Sequence, residues 1–377
     1  MAEVTTAPAV TYCSNIHPGE SWADVMHNLN GHALEVKQRL NQNAPFPLGL
    51  RIAHQAALEA DANAIAEFRA WCQQHNTYLL TINGFPYGTF HQTRVKENVY
   101  LPDWRERERV EYSKRLGDLA IALQPGAQRI SISTVPIAFK PGFNEADWPQ
   151  ALAHVREVAE HYRSLSQQTG TQLVLALEPE PGCVLETTAE AIDFFTRLDL
   201  ADALRPYVGL CFDACHQAVE YENAAECLQQ LSRANIPLGK VQVSSALKAS
   251  GDEIDTLLSF DEPVYLHQAV ARHRNTGKLH RFNDLPEFAH ARAQGEHYSE
   301  CRVHFHVPIF LEHLGRVGTT QTFLRELLPL LDNSVPLEVE TYSFTAIPEN
   351  LRHGSVGENI TRELQWVHQL LGPTHTN

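Results

Sequence analysis

Short apolar runs alternate with longer amphipathic stretches along most of the chain. The apolar runs have the length of buried strands and occupy residues 10–15, 48–53, 78–83, 129–135, 172–177, 208–212, 240–244, 302–307 and 336–341. The stretches between them predict helices over residues 21–40, 60–75, 104–123, 147–168, 188–198, 221–234 and 357–371. This alternation favours an α/β fold with a parallel sheet and helical crossovers.

The number of predicted strands is close to that of a closed barrel. Nine runs are one more than a (β/α)8 TIM barrel needs. No helix of ordinary length separates the run at 240–244 from the run at 302–307, so we place the surplus in an insertion at about residues 245–300, between strands 7 and 8. We therefore predict one TIM-barrel domain over residues 1–377. The Pro-, Gly- and aromatic-rich segment 84–103 is long enough to predict a loop that is functional or mobile.

Polar side chains stand at the carboxyl ends of most of these runs. They are His54, Asn83, Glu178, Asp213 with His216, Gln242, His304 with His306, and Glu340. In a barrel these ends meet at one face, so the side chains would share a pocket. Three buried carboxylates would repel one another and raise their own pKa values unless a cation compensates them. The pattern therefore predicts a divalent metal site.

Each of these residues also has a purely structural interpretation. Asp213 could cap the following helix, Glu178 could lie in a solvated loop beside Glu180, and Gln242 could be a hydrogen-bonded core amide. Glu338 and Glu340 share one face of a strand, and Glu340 is nearer its end. The remaining candidates rest on position alone, and these are His17, His54, His91, Lys248 and Arg302.

Composition excludes several classes of protein. With 43% apolar and 20% charged residues, the chain is an ordinary globular sequence. Its net charge of -15 disfavours nucleic acid as a partner. The 7 cysteines form no CxxC pair, which indicates reduced thiols. The first twenty residues carry no secretory signal pattern, and no apolar run is long enough for a membrane span, so we expect a cytoplasmic protein.

Four of the strand ends resemble a known series. Glu178 in LALEPEP, Asp213-x-x-His216 in CFDACH, Gln242 in KVQVS and Glu340 in LEVET are similar to the Glu, Asp, His or Gln, Glu series of the xylose isomerase-like, AP endonuclease family 2 barrels. The resemblance covers most of the chain. It implies one divalent metal, Mn²⁺, Mg²⁺, Co²⁺ or Zn²⁺, bound by Glu178, Asp213, Gln242 and Glu340. The glutamine resembles that of hydroxypyruvate isomerase and inosose dehydratase, where the amide oxygen is a ligand.

Two further segments resemble a narrower group. TYCSNIHPGESW and GLRIAH are similar to segments of the EboE-type metabolite traffic proteins. That resemblance implies a role in making or exporting a secondary metabolite, with a membrane protein of the same pathway as a partner. The residues leave the oligomeric state undetermined.

The resemblance implies an isomerase or epimerase that acts on a small keto-sugar, polyol or cyclitol. Glu178 and Glu340 would be catalytic and would exchange the proton, and the substrate would contact His216, His54, His304, His306 and Lys248. An alternative from a different class is a carrier that binds a metabolite without converting it. A zinc-dependent AP endonuclease is a third possibility, but Ser131, Ser133 and Val135 stand where the DNA-repair members carry an additional histidine.

Overall fold

The structure is a computed structural model that describes residues 8–40, 43–91 and 94–372. In the described residues the strands are β1 (Val10–Tyr12), β2 (Phe46–Arg51), β3 (Thr77–Asn83), β4 (Arg129–Thr134), β5 (Gln172–Leu177), β6 (Val208–Asp213), β7 (Leu238–Val243), β8 (Leu247–Ser250), β9 (Ala269–His273), β10 (Leu279–Phe282), β11 (Tyr298–Val303), β12 (His313–Leu314), β13 (Val317–Thr319) and β14 (Leu337–Val339).

The helices follow most of the barrel strands, as the alternating pattern predicts. They are α1 (Trp22–Asn28), α2 (Leu34–Leu40), α3 (His54–Glu59), α4 (Ala62–His75), α5 (Arg107–Leu123), α6 (Trp148–Thr169), α7 (Thr188–Leu198), α8 (Ala214–Val219), α9 (Ala224–Arg233), α10 (Leu285–Ala293), α11 (Gln321–Leu327) and α12 (Val356–Leu371). Short 3₁₀ turns include Ser14–Ile16, Lys96–Tyr100 and Tyr342–Ala346. The helix predicted over 21–40 begins at the Ser21 cap but contains a π-helical turn, Leu29–Ala33, between α1 and α2.

Eight parallel strands form the barrel, in the order β1, β14, β7, β6, β5, β4, β3, β2. A parallel bridge between Cys13 and Gly49 joins the two ends of this sheet and closes it. The predicted (β/α)8 TIM barrel is therefore confirmed. Because the carboxyl ends of all eight strands meet at one rim, residues far apart in the sequence are brought into one pocket there.

The surplus strand belongs to a second sheet. The chain segment that connects β7 to β14 forms a separate antiparallel sheet, with the strand order β10, β9, β11, β8, β13, β12. The run predicted as a strand at 302–307 is wrong in its bounds, because the strand is Tyr298–Val303 and its partners are β8 and β9. His304 to Val307 instead return to the barrel, where the Val307 amide donates to Ser245 O. The inserted sheet continues to Thr319, past the predicted end at about 300.

A buried ion pair crosses the barrel interior below the rim. Lys240 on β7 and Glu338 on β14 are both fully buried, and Lys240 Nζ lies 2.5 Å from Glu338 Oε2. Burial opposes the charge on Lys240, but attraction to Glu338 and other acidic groups outweighs burial and raises the pKa of the lysine. A Cβ at Gly49 would lie 2.1 Å from Glu338 Oε1, so the glycine makes room for this carboxylate. Gln242 and Glu340 follow two residues later on the same strands, nearer the rim.

Among the described residues, no helix combines the length and the apolar character needed to cross a membrane. Residues 1–7 of the N-terminal stretch and residues 92–93 of the 84–103 loop lie outside the described residues.

Candidate metal centre

Three carboxylates meet at the rim of the barrel. Glu178 follows β5, Asp213 ends β6 and Glu340 follows β14, and each side chain offers an oxygen within 4.8 Å of those of the other two. All three are buried, with at most 4% of the residue exposed. The residues that the sequence predicts as the acidic part of a metal site therefore lie within reach of a single ion.

Asp213 performs two tasks with its two oxygens. Its Oδ1 caps α8 by accepting from the His216 amide at 3.0 Å, and it also accepts from Ser244 Oγ at 2.6 Å. Its Oδ2 is buried and has no hydrogen-bond partner. The capping and the ligand interpretations of this aspartate are thus compatible, because one oxygen is fixed by the cap and the other is left free.

Glu340 is held in place by amide groups. Its Oε1 accepts from Asn15 Nδ2 at 2.7 Å, from Asn83 Nδ2 at 3.1 Å and from Gln242 Nε2 at 3.4 Å. These donors fix the carboxylate but bring no positive charge. Because Gln242 directs its nitrogen at Glu340, its Oε1 is left buried without a partner, as is Glu178 Oε2. Buried acceptors without donors are rare in folded proteins and require an explanation.

The carboxylates strongly affect one another's ionisation. Burial and the charge of Asp213 raise the pKa of Glu178 to about 8. Burial and the charges of Glu178 and Asp213 raise the pKa of Glu340 well above its usual value. Burial also opposes the charge on Asp213, but His216, His306 and the hydrogen bond from Ser244 outweigh it and lower the pKa of this group. Ionisation of all three carboxylates together therefore requires a positive charge that the surrounding side chains do not supply.

Three histidine rings lie directly beside the carboxylates. His216 Nε2 is 3.1 Å from His304 Nε2, which is in turn 3.2 Å from His306 Nε2. Each Nδ1 faces an oxygen acceptor: Pro179 O for His216, Gln268 Oε1 for His304 and Glu340 O for His306. These acceptors place the ring hydrogens on Nδ1, so the three Nε2 atoms direct lone pairs at one another. A proton, a donor group or a cation is needed among them.

The rings differ in their affinity for a proton. Burial lowers the pKa of His304 well below its usual value and that of His306 to about 4. Burial also opposes the charge on His216, but Asp213, Glu180 and Glu178 outweigh it and raise the pKa of that ring. His216 is therefore the one of the three that most readily holds a proton.

A cavity opens above the carboxylates. Its lining consists of Asn15, Asn83, Phe85, Pro86, Phe90, Val95, Lys96, Val99, Tyr100, Glu178, Glu180, His216, Tyr265, Leu266, His304, Glu340 and Tyr342. The acidic side chains and His216 come from segments that follow barrel strands, and His304 comes from the segment that returns from the inserted sheet. Most of the apolar side chains come from the 84–103 loop and the insertion.

The structure brings most of the predicted residues together, but not all of them face the cavity. Asp213, Gln242 and His306 are buried and are not part of its lining. His54, at the start of α3, stacks on Tyr87 with ring centroids 4.3 Å apart. Lys248 is on β8 of the inserted sheet, opposite Arg302 on β11. Neither His54 nor Lys248 lines the cavity.

Several side chains of the site were missed by the sequence reasoning. Glu180 lines the cavity and accepts from Tyr100 Oη at 2.7 Å, whereas its PEP context suggested only a loop. Asn15 follows β1 as the other polar residues follow their strands, so its position was a usable signal. Ser244 directly follows β7 and had the same positional signal. Gln268 and Tyr342 carried none, because their contacts are with distant segments.

Comparison with known families gives one extended match. A sequence profile described as xylose isomerase-like TIM barrel matches residues 47–291, which is more than half of the chain. No curated protein matches the chain in sequence.

Solved structures extend the similarity over nearly the whole chain. A xylose isomerase domain protein from Planctomyces limnophilus is 15% identical, with a TM-score of 0.53 over 97% of this chain and 96% of that one. A xylose isomerase-like TIM barrel protein from Mycobacterium smegmatis in complex with magnesium is 14% identical, with a TM-score of 0.53 over 97% of each chain. D-allulose 3-epimerase from Methylomonas sp. in complex with D-allulose is 13% identical, with a TM-score of 0.52 over 97% of each chain. At these identities the likeness is one of fold.

Proposed function

The chain belongs to the xylose isomerase-like TIM barrel family, and we propose that it is a divalent-metal-dependent isomerase or epimerase of a small keto-sugar, polyol or cyclitol. One observation carries this proposal. Glu178 Oε2, Asp213 Oδ2 and Gln242 Oε1 are buried acceptors without donors. The two carboxylates cluster with Glu340, and Gln242 contacts Glu340 through its Nε2.

These residues fit a divalent cation. A cation would satisfy the three unpartnered oxygens and would offset the burial and mutual repulsion that raise the pKa values of Glu178 and Glu340. Glu178, Asp213, Gln242 and Glu340 would hold it. Their oxygen atoms favour Mn²⁺ or Mg²⁺, whereas ligation by the histidines beside them would favour Zn²⁺, with Co²⁺ also accommodated. A magnesium complex of a protein with the same fold is consistent with this choice.

The bound cation would supply electrostatic stabilisation of the negative charge that develops on the substrate when the carbon beside its carbonyl group loses a proton. The chain's own groups move that proton. Glu178 and Glu340 both line the cavity. In our proposal one carboxylate removes the proton and the other returns one, which gives inversion or transfer to the neighbouring carbon.

The histidines position the substrate. His216 and His304 line the cavity, and their Nε2 atoms can form hydrogen bonds with hydroxyl groups of the ligand, with His304 accepting and a protonated His216 donating. His306 does not line the cavity but contacts His304, with the two Nε2 atoms 3.2 Å apart. Asn15 Oδ1 is also buried without a partner and can accept a further hydroxyl. A polyol has several such donors, which matches the excess of acceptors at this end of the cavity. D-allulose, the ligand of one protein of this fold, is a compound of this kind.

The proposal is tested by exchange of substrate hydrogen with solvent. The protein, loaded in turn with Mn²⁺, Mg²⁺, Co²⁺ or Zn²⁺, is incubated in D₂O with a panel of keto-sugars and inososes, and deuterium incorporation is followed by NMR. We expect exchange with wild type and a loss of roughly 10²- to 10⁴-fold in Glu178→Gln and in Glu340→Gln. Glu111→Gln, an exposed glutamate on α5, is the matched control and should retain full exchange.

A carrier function is the second candidate, and one observation favours it. The 84–103 loop and the insertion meet over the cavity, where the Val95 and Lys96 amides both donate to Val264 O. A cover formed by these two segments would enclose a bound metabolite until it is transferred to another protein, such as the membrane partner implied by the resemblance to the EboE-type proteins. Wild type that binds a polyol but never exchanges its hydrogen, with affinity lost in Glu178→Gln, would establish the carrier and overturn catalysis.

DNA cleavage finds no support in the charge of the site. Of the described residues that line the cavity, Lys96 is the only lysine or arginine, and it is paired with Asp284. We expect no cleavage of an abasic duplex, with or without added Zn²⁺.

A further inference from the structure

We propose that the ligand of this cavity carries an uncharged apolar group, such as an aromatic ring, attached to its polyol or keto-sugar head. This inference rests on the proposed function, because it assumes that the oxygen-rich head binds at the carboxylates. It adds the chemistry of the rest of the ligand. The observations behind it are the composition of the second half of the cavity and the state of the polar atoms there.

The second half of the cavity is an apolar wall, which we define as Phe85, Pro86, Phe90, Val95, Val99, Tyr265 and Leu266. The first five come from the 84–103 loop and the last two from the insertion. These are the two segments that the barrel itself does not require. The part of the chain that differs from a plain barrel therefore builds an apolar surface beside the polar centre.

The wall is joined to the polar centre through Tyr342. The ring centroids of Phe90, Tyr265 and Tyr342 lie 5.2 to 5.3 Å apart in each pair. The Tyr342 ring is also 4.7 Å from that of His306. A ligand whose head contacts the histidines therefore has aromatic side chains next to it, and such side chains favour apolar and aromatic groups.

The polar atoms of this half are already engaged. Tyr265 Oη donates to His91 Nδ1 at 2.6 Å, because the other ring nitrogen of His91 faces Asn15 O. Tyr100 Oη donates to Glu180. The Val95 and Lys96 amides are both taken by Val264 O. A hydroxyl group placed against the wall would lose its hydrogen bonds to water without gaining others, whereas an apolar group gains by burial.

The wall offers little to an anion. Lys96 lines the cavity, but its Nζ lies 2.6 Å from Asp284 Oδ2 and 3.2 Å from Glu262 O. The guanidinium of Arg51 lies 5.6 Å from the Phe90 ring centroid and is paired with Glu20. A phosphate would have to break one of these ion pairs inside a largely buried site. We therefore expect the cavity to bind apolar derivatives of the sugar more tightly than its phosphate esters.

The test compares one sugar head with three substituents. Mn²⁺-loaded protein is titrated calorimetrically with D-fructose, with each of its mono-O-benzyl ethers and with D-fructose 6-phosphate, and the series is repeated with an inosose and its benzyl ethers. We expect at least one benzyl ether to bind at least tenfold more tightly than the parent sugar, and the phosphate to bind no more tightly than the parent. Equal affinities of parent and benzyl ethers, a preference for the phosphate, or no binding of any probe would overturn the inference.

Variants of the apolar wall test whether the benzyl group binds there. Phe90→Ala and Val99→Ser should each reduce the benzyl advantage to less than threefold while leaving the affinity of the parent sugar nearly unchanged. Val99 is only half-buried, so its variant tests the wall even if Phe90→Ala folds poorly. Leu330→Ala, which shortens an exposed leucine elsewhere, is the control and should keep the full advantage. An advantage that persists in both wall variants would contradict the inference.

Failure of this inference is distinguishable from failure of the proposed function. Glu178→Gln should weaken parent and benzyl ether alike and leave their ratio intact. If the benzyl ether still binds more tightly than the parent sugar without metal and in Glu178→Gln, the apolar wall is a binding surface, but the proposal that the sugar head binds at the metal is wrong. Deuterium exchange of the parent sugar without any benzyl advantage would retain the proposed function and overturn the wall.

Discussion

Two successive layers of the barrel interior both contain buried carboxylates, but the layers differ in the groups that contact these carboxylates. In the lower layer, Glu338 on β14 is paired with Lys240 on β7. Two residues further along the same strands, Glu340 is contacted by Gln242, and two more carboxylates are added. The lower layer contains its own positive charge. The upper layer has amide donors in place of a lysine, so it is suited to a cation that comes from outside the chain.

The difference explains why we assign a structural role to the lower layer and propose a metal site in the upper one. An internal lysine fixes its charge permanently and leaves no room for a ligand. An amide fixes the position of a carboxylate without neutralising it, because it donates a hydrogen bond but carries no charge.

Replacing Lys240 should leave the carboxylate of Glu338 in the lower layer without a compensating positive charge. We expect Lys240→Met to lower the free energy of unfolding by about 3–5 kcal/mol, because Glu338 is left buried and unpaired. Urea unfolding measures this. The double variant Lys240→Met, Glu338→Leu should recover most of the loss. A single variant that costs less than about 1 kcal/mol would mean that the two layers do not differ in the way described.

Loading and removing metal should change the stability of the upper layer. With free Mn²⁺ at a hundred times its dissociation constant, we expect the free energy of unfolding to rise by about 2.7 kcal/mol. The gain should depend on pH. Glu178 has a pKa of about 8 in the metal-free fold against an ordinary value of 4.5, so folded protein holds a proton that the unfolded chain has lost.

The stability of the metal-free protein should therefore fall as pH rises from about 4.5 to about 8, by up to about 1.4 kcal/mol per unit for one such proton. Metal-loaded protein should be nearly flat over this window, because its carboxylates are ionised in both states. Thermal and urea unfolding of the two forms at pH 5 and pH 8 provide the check. Parallel pH profiles of the two forms would show that these carboxylates do not meet the ion.

Ser244 offers the smallest and most local change. Its hydroxyl donates to Asp213 Oδ1 and accepts from the Cys215 amide, so it is a positioning residue. Ser244→Ala should weaken Mn²⁺ binding about tenfold. Ser245→Ala, a buried neighbour whose hydroxyl faces Thr320, is the matched control. Equal affinities in the two variants would remove Ser244 from the site.

The sequence carried enough information for the acidic part of the upper layer. Glu178, Asp213 and Glu340 each follow a short apolar run, and in a parallel barrel that position alone brings side chains to the same rim. The same rule was insufficient for His54. There α3 begins directly after the strand, and the ring turns to stack on Tyr87.

The contacts made by the insertion could not be predicted. The alternating letters of RVHFHV indicate a strand, but β11 ends at Val303 and the two histidines return to the barrel. Their approach to His216 depends on where the inserted sheet places that return. Likewise, the cover over the cavity depends on Val264 meeting the 84–103 loop, a contact between segments far apart in sequence and without a periodic signal.

The most direct test of the central claim is a calorimetric titration of metal-free protein with Mn²⁺, performed on wild type, Glu178→Gln and Glu340→Gln. We expect one ion to bind at the carboxylates of wild type, and each variant to bind it at least a hundredfold more weakly with its fold intact. Variants that bind Mn²⁺ as tightly as wild type, or wild type that binds none, would contradict this claim.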